Sequence, residues 1–327
     1  MTGGTEVVNQ PQRVSIAILG CGKMGTAILQ GLLAAPPSKY LDVTHITATV
    51  RTRAAADRIL HAVQESSSLP MLHEHQKTQS LLTPRLTVKL QEENGQVAQD
   101  CDILLLGCKP HNFQDILQEP DVQRALLDPS RSKILISVIG GVTVAHLEQC
   151  LYDLPGKTEP RSCTIARAIP NMAACIHRSI TVISAPSREN DERSINTVNQ
   201  LFSLVGPVIQ LPEIQFSNAS ALASSSIAFY ASLISASADG TVSVTDDGSL
   251  SRSDALWISA HAAIGASSLI LEGEDPVAIS RKVATKGGST EVGLKVMEEN
   301  KVGAAMVSAL SSCARATKGL FNLGRTQ

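Results

Sequence analysis

The run Val14-Ser15-Ile16-Ala17-Ile18-Leu19 leads into Gly20-Cys21-Gly22-Lys23-Met24-Gly25, and a helical apolar pattern follows at Ala27, Ile28, Leu32 and Leu33 until Pro36-Pro37. Strand, G-x-G-x-x-G, helix is a demanding order. The first glycine makes a tight turn, the second lets a pyrophosphate reach the backbone, and the third lets helix and strand pack closely. The start of the helix then offers free N–H groups and the positive end of a dipole to a phosphate. The glycines alone are a weak signal; the flanking strand and helix make it specific. The spacing predicts an α/β, Rossmann-type domain in which Gly20, Gly22, Lys23, Met24 and Gly25 hold a dinucleotide.

A second strand is expected at Ile46-Thr47-Ala48-Thr49-Val50. At its end, a site for the unphosphorylated dinucleotide carries Asp or Glu for the ribose 2′-hydroxyl. Here Arg51-Thr52-Arg53 follows. Arginine presents a planar fork suited to a phosphate, so the expected cofactor is NADPH, held by Arg51 and Thr52, with NADH weaker. The alternative is a solvated loop arginine.

Two continuous apolar runs, Cys101 to Leu106 and Ile134 to Ile139, read as buried parallel strands. They end in Gly107-Cys108-Lys109-Pro110 and Gly140-Gly141. Loops at the carboxyl ends of such strands are where ligands bind, which adds Cys108, Lys109, Pro110, Ile139 and Gly140 to the expected cofactor site. Cys108 reads as a small packing residue, since hydride chemistry needs no nucleophile. Thr143 is expected to cap the next helix. Most of the polar segment from Gln64 to Gln91 reads as an insertion, and its His73-x-His75 lacks partners at metal-binding spacing, so no metal is expected. Thr181 to Ile183 and Val208 to Leu211 read as strands around a helix near Glu189 to Leu204.

After Pro212 the pattern becomes helical throughout. Leu222, Phe229, Leu233 and Ile234 recur at helical spacing in a Ser/Ala-rich stretch, a loop is expected from Asp239 to Ser253, Ser253 is read as the cap of a helix through Leu271, and a last helix runs from about Val302 to Leu320. The expected division is a tail at 1–12, a dinucleotide domain at 13–212, and a helical substrate and dimerisation domain at 213–327. Between helices lies Thr285-Lys286-Gly287-Gly288-Ser289-Thr290. Two glycines break one helix, and Ser289 or Thr290 can cap the next. Free N–H groups ringed by hydroxyls suit a carboxylate or phosphate. Local physics is equally met by a plain capped corner.

Composition excludes several classes. The chain has 327 residues and a formal charge of −2, with no basic stripe, so nucleic acid is not an expected partner. No run of about 18 uninterrupted apolar residues suggests a membrane span. Seven scattered cysteines without a CxxC pair read as reduced thiols of a cytoplasmic protein. Aromatics make up only 3%, so the helical half is short of bulky core residues and is expected to pair with a second copy.

Pro276, Ile279, Val283, Ala284, Thr285, Gly287, Gly288, Thr290, Gly293, Leu294, Met297 and Glu298 together resemble the C-terminal signature of Δ1-pyrroline-5-carboxylate reductases. With gaps, the resemblance extends from about Val14 to Leu320, and it includes Lys109-Pro110 and the Arg167-Ala168-Ile169-Pro170-Asn171 segment. It implies hydride transfer from NADPH to the C=N carbon of a cyclic imino acid, giving proline. It implies that Gly288, Ser289, Thr290 and Thr285 bind the substrate carboxylate, that Thr290 bonds the ring nitrogen as the catalytic residue, that Ser225 lines the substrate site, and that the protein is a homodimer or larger homo-oligomer. The chain departs from the family at Ser224-Ser225-Ser226-Ile227-Ala228-Phe229, where Gly-Ser-Gly-Pro-Ala-Tyr is usual, at Met172-Ala173 in place of Thr-Pro, and at Lys286 in place of Pro. These departures leave two other readings: a specialised reductase of a substituted pyrroline or a piperideine carboxylate, and a non-catalytic NADP-binding regulator.

Overall fold

The computed structural model describes residues 10–66, 84–153, 162–184, 192–243 and 250–319. The chain divides into two compact units, Met1–Ser224 with Ala314–Gln327, and Ser225–Cys313.

The first unit is built on strands β1 (Gln12–Leu19), β2 (Leu41–Val50), β3 (Arg85–Leu90), β4 (Ile103–Leu106), β5 (Ile134–Ser137), β6 (Thr164–Ile169), β7 (Thr181–Ser184) and β8 (Val208–Leu211). They form one sheet in the order β3-β2-β1-β4-β5-β6-β7-β8. Neighbours run parallel except β6 and β7. The alternation of side chains along each strand sends one set to each face. Ile16 and Ile18 of β1, Ile103 and Leu105 of β4, and Ile134 and Ile136 of β5 join one core. Ala17, Leu19, Leu104, Leu106 and Leu135 join the other. A strand buried on both faces needs an uninterrupted apolar run, which is what the sequence carries.

Helices α1 (Lys23–Leu33), α2 (Arg53–Ser66) and α7 (Glu192–Ser203) cover the first face with Ile28, Leu32, Ile59, Leu201 and Phe202. Helices α3 (Asn94–Asp100), α4 (Phe113–Leu117), α5 (Pro120–Leu127) and α6 (Val144–Tyr152) cover the second. Thr143 caps α6, and its side chain and that of His146 form a reciprocal capping box. Gly31 permits close contact of α1 with the turn after β6: a Cβ there would lie 2.2 Å from the Ala174 carbonyl oxygen.

The segment read as an insertion is structured at both ends. Helix α2 continues to Ser66, and Arg85-Leu86-Thr87-Val88-Lys89-Leu90 pairs with β2 as an edge strand. Leu86, Val88 and Leu90 alternate onto the core side, but the run is short and closes a long polar segment, so it read as loop. His73, His75 and Lys77 lie outside the described residues.

Past Pro212 the described elements are all helical. Helix α8 (Phe216–Ser220) passes through a π-helical turn at Ala221–Ser225 into α9 (Ser226–Val242). The second unit continues with α10 (Arg252–Leu271), α11 (Pro276–Val283) and α12 (Ser289–Glu299), and α13 (Val302–Gly319) ends the described chain. Helix α9 runs past Asp239 to Val242, where a loop was expected, and Arg252 pairs with Asp239 (2.7 Å) beside its last turn. Ser251, not Ser253, caps α10 by accepting from the Asp254 N–H. Among the described residues of Ser225–Cys313, only Ser226, Ala238 and Ala255 are buried. Trp257, Ile264, Leu271, Val292 and Val307 are exposed.

Candidate active site

The parallel register places the carboxyl ends of β1, β4 and β5 side by side, with Leu19 opposite Leu106 and Leu106 opposite Ser137. The loops carrying Gly20–Gly25, Cys108–Pro110 and Ile139–Gly140 therefore share one edge of the sheet. Arg51 and Thr52 follow β2 at the same edge.

Each glycine of the loop has a distinct reason. Gly20 has φ +71°, and a Cβ there would meet the Cys108 Cβ at 2.7 Å. A Cβ on Gly25 would press on Cys21 Sγ and Ile18 at 3.1 and 3.2 Å. Gly22 has no such internal reason, because the nearest atoms to its ideal Cβ lie 4.0 Å away. Its bareness leaves room for an outside group at the start of α1, where Gly22 is the N-cap, no side chain caps the N–H groups and the first turn holds no acid. That arrangement fits a pyrophosphate.

Below the loop lies a buried polar chain. Cys21 N–H donates to the Thr49 carbonyl (2.9 Å). The Thr49 hydroxyl donates to Asn94 Oδ1 (2.8 Å), and Asn94 Nδ2 donates to Glu119 Oε1 (3.0 Å). Burial raises the Glu119 pKa. Sequence reading missed these residues; a Thr near the end of an otherwise apolar strand was their one signal.

Arg51 is exposed and has no ion pair among the described residues. The Thr52 hydroxyl accepts from the Ala55 N–H (3.2 Å), opening α2. The Cys108 thiol is pushed up to about 12 by burial, and that of Cys21 to about 11. Both are neutral packing groups and poor nucleophiles. Lys109 is exposed and Pro110 opens a short turn. Ile139 is 4% exposed, with its side chain in the core, so only its backbone can meet a ligand. Gly140 is exposed at the rim.

At the end of β6, Arg167 is buried and donates to Glu213 Oε1 (2.8 Å), which also accepts from the Val144 N–H at the start of α6 (2.9 Å). The Arg167 guanidinium lies 4.7 Å from the centre of the Phe216 ring, and its Nε has no partner among the described residues. Burial lowers the Arg167 pKa, and Glu213 opposes that. Asn171 Nδ2 donates to the Ala223 carbonyl (2.8 Å) and so ties β6 to the π-helical turn. Glu213 was also missed in the sequence, because a lone acid after Pro212 carries no pattern.

In the second unit, Thr285 to Gly288 form a β-turn. Gly288 N–H donates to the Thr285 carbonyl (2.9 Å), and Gly287 has φ +75°. Two expectations need correction. Gly288 is the N-cap of α12, in place of Ser289 or Thr290, since the extended residue at the turn's exit is the glycine. Its N–H is already used by the turn and cannot hold a ligand. The Ser289 and Thr290 N–H groups, in the first turn of the helix, have no partner among the described residues. A Cβ on Gly288 would lie 2.6 Å from the Thr285 hydroxyl, which therefore sits over the turn. The Lys286 side chain is exposed. Ser225 closes the π-helical turn at the start of α9, partly buried.

Residues 213–320 match the family described as pyrroline-5-carboxylate reductase dimerisation, and residues 15–141 match the NADP oxidoreductase, coenzyme F420-dependent, family. A pyrroline-5-carboxylate reductase of Penicillium fellutanum is 33% identical over 311 residues, which cover 93% of this chain and 88% of that protein. The chain belongs to the pyrroline-5-carboxylate reductase family. A reductase of the same name from Neurospora crassa is 32% identical, covering 93% of this chain and 92% of the relative. The fold agrees with that of the Plasmodium falciparum pyrroline carboxylate reductase solved with NADP bound, at a TM-score of 0.70 and 17% identity over 94% of this chain and 99% of that one. The dimerisation match falls on the helices whose apolar residues are exposed.

That match bears on the membrane reading. Two helical stretches, Glu213–Val242 and Arg252–Leu271, are long and apolar enough to cross a bilayer by length and composition. Scattered polar residues interrupt the apolar runs in both stretches, so neither holds an uninterrupted run of about 18 apolar residues.

Proposed function

We propose that the chain reduces Δ1-pyrroline-5-carboxylate to L-proline with NADPH and works as a homodimer. The observation that carries the reading is the Thr285–Gly288 turn, which opens α12 with the Ser289 and Thr290 N–H groups free and the Thr285 hydroxyl beside them. A carboxylate bound there is held by two N–H groups and the helix dipole. When bound, the cofactor supplies the hydride that adds to the C=N carbon. The pair of the C=N π bond moves to nitrogen, which takes a proton as the ring becomes proline. The Thr290 hydroxyl bonds that nitrogen and orients the ring. It is too weak an acid to give up the proton itself, so water supplies it or the imine enters already protonated.

Gly22 and the uncapped start of α1 support dinucleotide binding, and the unpaired Arg51 supports NADPH over NADH. Seven free cysteines support a reducing compartment, the cytoplasm. The helices that bury only three described residues support pairing with a second copy. Lys286 and Ser224 to Ile227, where the family has other residues, favour a specialised imine reductase as the second reading. The assay is NADPH oxidation with pyrroline-5-carboxylate, a methyl-substituted pyrroline carboxylate and piperideine-2-carboxylate. The five-membered unsubstituted imine is expected to give the highest kcat/KM. A higher value for either competitor selects the second reading, and no turnover of any of them sinks both.

A further inference from the structure

The turn that opens α12 is built with a weakness and a repair. Thr285-Lys286-Gly287-Gly288 has the Gly288 N–H on the Thr285 carbonyl at 2.9 Å and a positive φ only at its third residue, Gly287. That is the pattern of a type II turn, in which the second position favours proline and the third needs glycine. Lys286 occupies the second position. Lysine leaves this φ free where a proline ring would fix it. Two glycines follow, the residues with the most backbone freedom to lose. Left alone, the segment that presents Ser289 and Thr290 has little in its own backbone to fix its shape.

The side chain of Glu291 reaches back across it. Glu291 is the third residue of α12, and its Oε2 accepts from the Gly287 N–H at 2.6 Å. A capping-box glutamate at this position bonds the N-cap N–H. Here the N-cap N–H, that of Gly288, is used by the turn, and the carboxylate bonds the residue before it. The bond crosses the turn at its left-handed residue and leaves the Ser289 and Thr290 N–H groups free.

We propose that Glu291 is a positioning residue: it holds the Thr285–Gly288 turn in the geometry that binds the substrate carboxylate, in place of the rigidity a proline at 286 would supply. This rests on the reading of the turn as the carboxylate site. Glu291 touches neither substrate nor cofactor in this role. Its negative charge beside an anion site opposes substrate binding, and in this role the gain in order outweighs that repulsion.

The test is a double-mutant cycle on the full-length protein, with wild type, Glu291→Ala, Lys286→Pro and the double variant, and Glu291→Gln as the conservative control. Glu291→Ala should raise KM for pyrroline-5-carboxylate about 3- to 10-fold, the scale of one lost hydrogen bond and a loosened turn, with KM for NADPH unchanged. Glu291→Gln keeps an acceptor oxygen and should stay near wild type. In the Lys286→Pro background the alanine substitution should have less than about half that effect on a logarithmic scale, because the two devices do one job. Equal effects in both backgrounds, or a lower KM in Glu291→Ala, overturn the proposal. Hydrogen exchange of the peptide spanning the turn, measured without substrate, separates this from the functional reading. Glu291→Ala should speed exchange there and Lys286→Pro should restore it; unchanged exchange overturns the proposal even if the enzyme turns over its substrate. If the wild type fails to reduce pyrroline-5-carboxylate while exchange behaves as expected, the substrate reading falls, and with it the claim on KM.

Discussion

At the scale of single residues, two side chains separate binding from chemistry. Arg51 stands exposed at the end of β2, with no carboxylate paired to it among the described residues. Arg51→Asp should weaken NADPH by about 1.5–3 kcal/mol, the range of a charge-assisted hydrogen bond. Titration of both cofactors checks it, and equal kcat/KM for NADPH and NADH in the wild type would remove the argument. Thr290 lies in the first turn of α12 with its hydroxyl assigned to the ring nitrogen. Thr290→Ala should lower kcat about 10- to 1000-fold while leaving the NADPH dissociation constant as it was, because the glycine loop belongs to the other unit. Unchanged turnover would take Thr290 out of the mechanism. The pattern of residues around G-x-G-x-x-G and Thr285-Lys286-Gly287-Gly288-Ser289-Thr290 was legible without coordinates. Glu213 was not, since only folding brings Arg167 and the Val144 N–H to it; Glu291 was not, although the Gly287 N–H it bonds is only four residues away.

At the scale of elements, Arg167 and Glu213 join the end of β6, the start of α6 and the approach to α8. The guanidinium is buried, and Glu213 is its sole anionic partner among the described residues. Removing one member of such a pair leaves the other charge uncompensated, which costs about 3–5 kcal/mol; replacing both with apolar residues costs far less. Glu213→Ala should therefore lower the urea-unfolding free energy by roughly that amount, and Arg167→Met/Glu213→Leu should recover most of it. If the double variant is as unstable as the single one, the bridge is not what holds these elements together. The edge strand β3 shows the limit of pattern reading at this scale. Arg85 to Leu90 alternates polar and apolar residues strictly, as a half-buried strand does, but the run is only six residues long and closes a polar segment, and its pairing with β2 is what identifies it.

At the scale of the whole molecule, the helical unit poses a packing problem that a single copy does not solve. Helix α10 buries one residue of its 20, Ala255. Trp257, Ile258, Ile264 and Leu271 are exposed along it. Apolar surface of that extent is normally covered by a partner. Light scattering at micromolar concentration should give a mass of at least twice the 34.6 kDa of the chain. A monomer at that concentration would refute the pairing. A charged substitution on the face, Ile264→Lys, should shift the equilibrium toward the monomer by burying an unpaired ammonium in the interface.

The sequence by itself determined the strand–glycine-loop–helix start, the apolar central strands, the change to helices after Pro212 and the position of the Gly-Gly turn, because each depends on local spacing and on residues whose backbone freedom is unusual. Short apolar runs bounded by glycine read as buried strands ending in turns, and paired glycines mark a place where the backbone is free to turn. The tertiary structure decided what depends on distance across the chain. It put three loops at one end of the sheet and set Glu213 beside Arg167, 46 residues away in the chain. Those contacts arise between groups whose side chains are ordinary, so composition and period cannot mark them; they exist because packing fixes the backbone groups that the side chains then satisfy.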